Sequence, residues 1–214
     1  MSIKAFWRQN GFSITFEFIS IFVGLMLALW INNWNQARQD SNTAHTLMAK
    51  VVYELKQNSG RLTRNYDNLL AFEASINREI ARLKDEKAPP ETKLSLEISQ
   101  SEYDDGVWSF AKNRAALNRI PVEDLLQAAN AYQEQELAYR RQARLYDEDI
   151  TVLLERLLDK NGGDDQEREQ VLNALTAIHF KIQPTRAFLK EALEENAEAI
   201  QALEPKYGSA SQAG

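Results

Sequence analysis

Cysteine is absent from all 214 residues, which removes thiol nucleophiles and thiolate metal sites in one step. The absence is compatible with an oxidising compartment. Histidine is nearly absent too. His45 and His179 are the only two, and neither follows a glutamate at i−3 or belongs to an HExxH pair, so di-iron and zincin sites lack ligands. No Gly-rich phosphate loop or nucleophile-elbow serine is present. With 8 Gly, 5 Pro and 44% hydrophobic residues, the composition is that of a helical protein. Basic residues are outnumbered, 25 to 31, and a net charge of −6 argues against nucleic acid, whose phosphates need concentrated Lys and Arg. Arg140, Arg141 and Arg144 do cluster, but Glu136 to Arg140 and Arg144 to Glu148 are i,i+4 pairs, the mark of a solvated helix face. The carboxylates at Glu102, Asp104 and Asp105, at Asp147 to Asp149 and at Asp164 and Asp165 lack calcium-loop spacing and read as surface. These absences together leave no catalytic, cofactor-binding or metal-ligating residue to nominate.

What is present is one long apolar run. From Phe12 to Ile31 about 20 residues are nearly all apolar, and at roughly 1.5 Å per residue such a helix matches a hydrocarbon core of about 30 Å. Glu17 interrupts the run, where a charge at the bilayer centre costs about 2.5–3.5 kcal/mol. It needs a partner or a proton. At 100° per residue, Glu17 shares a narrow face with Ser20, Gly24, Ala28 and Asn32, and Ser20, Gly24 and Ala28 make a small-xxx-small ladder. Such a ladder lets helix backbones approach closely in lipid, so the face reads as a helix–helix contact. Chance placement, with Glu17 neutral or locally hydrated, is the alternative. Trp30 and Trp34 bracket an asparagine cluster at the depth of an aromatic belt, and Trp7 suits the opposite interface.

Glu17, Gly24, Leu27-Ala28-Leu29, Ile31-Asn32-Asn33-Trp34-Asn35 and Arg38, in that order, resemble the N-terminal signature of a bacterial family of single-pass membrane proteins known as a domain of unknown function. Trp108, followed by a loop and by Leu125-Leu126 before a tyrosine-bearing helix, is similar to that family's middle region. The resemblance implies a membrane location and a helical outer domain. It brings no activity.

The first 11 residues carry Lys4, Arg8 and no acid, the composition of a cytoplasmic tail. Residues 12–34 then form an uncleaved signal anchor, since the apolar run is long and no small-x-small site follows it. This places a single-pass protein in the bacterial inner membrane, with residues 35–204 periplasmic or extracellular and residues 205–214 as a flexible tail.

Beyond the span, Leu47, Val51, Leu55, Leu62, Tyr66, Leu69, Ile76, Ile80 and Leu83 recur at steps near 3.5, which predicts a long amphipathic helix with coiled-coil-like spacing. Asp40 to Thr43 mark either a hinge or nothing. Asn58, Ser59 and Gly60 interrupt the stripe, and Pro89-Pro90 stop the helix. An extended connector over 93–99 is expected next, then a short helix from Val107 to about Asn118, with Trp108 and Phe110 plugging the membrane-distal end of the core. Pro121 opens a helix whose stripe runs from Leu125 and Leu126 to Leu158, capped at Asn161 to Gly163. Tyr132, Tyr139 and Tyr146 share one face, either lining a cleft or packing at the boundary with hydroxyls in water. A last helix follows, kinked or broken at Pro184. The fold class is all-α: one N-terminal transmembrane helix followed by an elongated antiparallel helical bundle.

On function, the sequence supports a non-catalytic scaffold or accessory subunit that assembles through its span, either with copies of itself or with another integral membrane protein. The alternative is an extracytoplasmic sensor or small-ligand-binding bundle.

Overall fold

The computed structural model describes residues 3–85, 101–151 and 165–208, with side chains from residue 16 in the first stretch and from residue 168 in the last. Its regular structure is helical throughout: α1 (Ile3–Lys84), α2 (Gly106–Ala111), a 3₁₀ turn (Ala115–Arg119), α3 (Val122–Arg144) continuing through a π turn (Leu145–Ile150), and α4 (Asp165–Tyr207). α1 has 82 residues, a rod of about 120 Å. It passes through Asp40 to Thr43 without a hinge. Thr43 and Thr46 donate their hydroxyls to the carbonyls of Gln39 and Asn42 at 2.9 Å each, so the side chains bond back into the helix and cap nothing. The expected proline stop, the connector over 93–99 and the cap at 161–163 lie outside the described residues.

Burial explains how three of these helices associate. On α1 the buried positions include Met48, Val51, Leu55, Asn58, Leu62, Asn65, Leu69, Phe72, Ile76, Glu79 and Leu83, alternately three and four residues apart. α3 repeats the pattern with Asp124, Ala128, Ala131, Gln135, Ala138, Gln142 and Leu145. α4 does so from Val171 through Leu175, Ile178, Ile182, Thr185, Leu189, Ala192, Asn196 and Ala199 to Leu203. That spacing holds one narrow seam of each helix toward its neighbours. Lys56 pairs with Glu204, Glu73 with Arg186, and the Leu83 carbonyl accepts from Arg168, so α4 runs antiparallel to α1. Gln135 meets Asn196 and Asp124 meets Tyr207, so α3 is antiparallel to α4 as well. α4 packs along both partners, while α1 and α3 touch each other little.

Four sequence expectations need correction. The short helix does not reach Asn118: α2 stops at Ala111 and the chain turns before the 3₁₀ segment. Trp108 does not plug the distal end. Asn65 binds Ser101, Asn58 binds Asp104 and Glu54 binds Val107, so this strap descends along α1, and Trp108 packs in the lower core with Leu47, Met48 and Val51. Phe110 is exposed on the surface, under the Arg114 guanidinium at 4.1 Å. Finally, α4 runs unbroken through Pro184 and Pro205, both on its exposed face, where a carbonyl that has lost its donor turns to water.

Candidate transmembrane contact face and buried polar layer

Every side chain of α1 from Phe16 to Gln36 is exposed. Glu17, Ser20, Gly24, Ala28 and Asn32 therefore lie on a face that nothing else in the described chain covers. A methyl group built on Gly24 meets no atom within 4 Å, so the glycine is not required by packing inside this chain. An 18-residue window in this part of the helix has a mean hydropathy of 1.6 and no buried residue, long and apolar enough for one membrane crossing by length and composition. Trp30 and Trp34 stack at 6.5 Å between centroids and 8° between planes, one turn apart on the same side. Trp7 is helical, but its side chain lies outside the described ones.

The bundle carries a second constellation, assembled from one residue on each long helix. Asn58 donates through Nδ2 to Gln135 Oε1 at 2.8 Å, Gln135 Nε2 donates to Asn196 Oδ1 at 2.8 Å, and Asn196 Nδ2 donates to the Leu55 carbonyl at 2.9 Å. Asn58 also clamps the strap, donating to the Asp104 carbonyl at 2.6 Å and accepting from its N–H at 3.0 Å. All three amides are wholly buried and occupy seam positions between leucines and alanines. A satisfied polar layer of this kind fixes register, because sliding any one helix by a turn leaves several donors and acceptors buried without partners. One layer further from the span, Asn65 repeats the clamp on Ser101, accepting at 2.7 Å and donating at 2.8 Å. Beside it lies a cavity of about 10 Å³ lined by Arg61, Asn65, Tyr139 and Gln142 among others, enough for about one water.

Charged groups in the core are held in the same manner. Glu54 accepts from the Val107 N–H at 2.8 Å and from the Tyr132 hydroxyl at 2.5 Å. Burial, and then the Glu54 bond, push the Tyr132 phenol far above its ordinary range. Asp124 accepts from Tyr207 at 2.7 Å and from Lys206 at 2.5 Å. Burial acts to raise the Asp124 carboxyl, but the bonds from Lys206 and Tyr207 outweigh it and hold the group below the usual carboxylate range. Glu73 accepts from Gln183 at 2.5 Å and Arg186 at 2.9 Å, and stands 3.9 Å from His179 Nδ1.

The expected solvated surfaces hold for Glu136 with Arg140 and for Arg144 with Glu148. The tyrosine face divides: Tyr132 is buried against Trp108 with its hydroxyl on Glu54 and Tyr146 is buried with its hydroxyl on Gln142, whereas Tyr139 is half-buried and lines the small cavity. Among the described residues no three His, Asp or Glu side chains converge on a common point for a metal ion. Sequence reasoning missed the polar layer altogether. Its signal was present, because Asn58 stands three residues after Leu55 and four before Leu62, and Gln135 stands seven before Gln142, all at seam spacing. No protein-family model, curated protein or solved structure matches this chain.

Proposed function

We propose that this chain is a membrane-anchored, non-catalytic scaffold or accessory subunit. Its span docks through Glu17, Ser20, Gly24, Ala28 and Asn32 to another membrane helix, from a second copy or a different integral protein, and an elongated antiparallel bundle projects into the periplasm. Lys4 and Arg8 support a cytoplasmic N-terminus in a bacterial inner membrane, and the signature from Glu17 to Arg38 supports membership of the single-pass family it resembles. One observation carries the assembly reading: the same helix is sealed from Ala44 to Leu83 by its own chain and left bare from Phe16 to Gln36, with open space at Gly24. In lipid, close packing at small residues and hydrogen bonding to a carboxylate are what hold helices together.

The test is the mass and composition of the complex extracted gently from the native membrane, beside Gly24→Leu and Glu17→Gln. A discrete assembly that Gly24→Leu dissociates and Glu17→Gln weakens supports the proposal. Unchanged partners and stoichiometry in both variants overturn it.

A further inference from the structure

One turn at the end of the bundle nearest the span carries a charge opposite to that of the chain. From Phe110 to Val122 the sequence holds Lys112, Arg114 and Arg119 and no acid, in a protein of net charge −6. All three cations are exposed, and none joins an ion pair among the described residues. Apolar side chains stand among them: Phe110 is 51% exposed and Val122 65%. The nearest acids are few. Asp124 is engaged by Lys206 and Tyr207 and Asp40 is half-buried on α1, while the exposed acids are Glu123 beside the turn and, before Phe110, Asp104 and Asp105, which bond Gly106 and Ser109.

The fold turns this segment toward the span. The strap descends α1 from the level of Asn65 to that of Glu54, and Ala111, Leu117 and Ile120 then pack in one cluster with Ala44, Leu47 and Met48 before α3 climbs away. The covering of α1 starts lower still, since Ala37, Asp40 and Ser41 are already half-buried. Ala37 lies three residues past Trp34, about 4.5 Å along the axis. The polar headgroup layer on each side of a bilayer is about 5–7 Å deep. Ala44, the first α1 residue in the cluster that holds the turn, lies ten residues past Trp34, about 15 Å along the axis, so the long Lys and Arg side chains of the turn stand about one side-chain length from the headgroup layer.

We propose that the turn from Phe110 to Val122 is a second membrane contact, in which Lys112, Arg114 and Arg119 bind the phosphates of anionic lipid headgroups while Phe110 and Val122 enter the interface. The inference rests on the reading of the span as a membrane helix. Arginine and lysine above an anionic surface, with amphipathic neighbours at the boundary, form a recognised pattern of peripheral binding. Docking of this kind fixes the bundle's orientation about the anchor, which a single helix alone does not.

Because the chain has no cysteine, a single label can be placed at will. The full chain bearing Asn118→Cys, labelled with an environment-sensitive fluorophore, is reconstituted into phosphatidylcholine vesicles with and without one third phosphatidylglycerol. Headgroup spin-labelled lipid is the quencher. Asn77→Cys, at the far end, and Phe22→Cys, in the span, serve as controls, the latter against an acyl-chain spin label. Each cation held at an anionic surface shifts the docked population roughly fivefold. The label at 118 should therefore be quenched at least about threefold more in anionic than in neutral vesicles, and Lys112→Glu/Arg114→Glu/Arg119→Glu should reduce it to the level at 77. A label at 118 that stays unquenched while the one at 22 is quenched overturns the contact and leaves the span reading intact. Equal quenching at 118 in both vesicles and in the triple variant overturns recognition by charge. A label at 22 that escapes the acyl-chain quencher overturns the span reading, and the proposal with it.

Discussion

One helix, α1, presents two surfaces that obey different rules. From Phe16 to Gln36 its side chains are exposed whatever their chemistry, the phenylalanines and leucines as much as the narrow face of Glu17 and the small residues. From Ala44 to Leu83 a seam in steps of three and four is buried, widened by Leu47, Ala49, Val52, Glu54 and Glu73, and the opposite face is exposed. The backbone conformation is the same in both. What differs is the source of stability. In the distal part, apolar area leaves water only when α3 and α4 cover it, so that half depends on tertiary packing. On the proposed reading of the proximal part as a span, lipid would remove the apolar area from water without any partner, and association there would come from close packing and hydrogen bonds.

The comparison is broken most severely by charges in the bare half. Val23→Arg/Leu27→Arg should cost about 5–7 kcal/mol of insertion and shift the chain out of the carbonate-resistant membrane fraction, while the bundle keeps its helical circular dichroism. Retention in the membrane would show that the run is not a span. The same substitution in the two halves is a gentler probe: Leu69→Ala, at a fully buried position, should destabilise the bundle by about 2–5 kcal/mol. Leu25→Ala should leave the unfolding of the bundle unchanged, measured by urea titration in detergent.

The polar layer allows a smaller cut. Gln135→Ala orphans buried groups on both Asn58 and Asn196, at about 1–3 kcal/mol each, whereas Asn58→Leu/Gln135→Leu/Asn196→Leu leaves no orphan within the layer but also releases the strap at Asp104. The triple variant should lose a unique register, visible as broadened methyl resonances. The smallest effect belongs to Asp124. Its folded carboxyl lies below the ordinary carboxylate range, so its stabilisation is complete above that range and is lost as pH falls through the folded value. Asp124→Asn should cost about 1 kcal/mol at neutral pH, Lys206 being half-exposed, and should flatten the acid limb of stability.

How legible these features were depended on what kind of side chain occupied the seam. On α1, Leu47, Val51, Leu55, Leu62, Leu69, Ile76 and Leu83 were picked out by hydropathy and are buried, and Tyr66 and Ile80, picked out with them, are partly buried. On α3 the same criterion chose Leu126, which is 55% exposed, because the true seam is made of Ala128, Ala131, Gln135, Ala138 and Gln142. Alanine and glutamine carry no strong hydropathy signal, so only a count of threes and fours would have found them. The proposed contact face of the span rests on pattern alone, small residues and one carboxylate at helical spacing, which is a feature of sequence. The strap was not. Its descent along α1 depends on Asn58 and Asn65 gripping the backbone of Asp104 and Ser101, and backbone partners leave no trace in sequence.

The absence of a hinge in α1 gives this protein a height. Lys84 lies fifty residues beyond Trp34 on one uninterrupted helix, so with the span upright in a bilayer the far end stands about 75 Å above the interface. A tilt of about 10° at the membrane sweeps that end sideways by about 13 Å, and removing one heptad from each long helix would lower it by about 10 Å. Whatever meets the summit of the bundle is therefore met at a distance set by the number of turns in α1, as on a ruler.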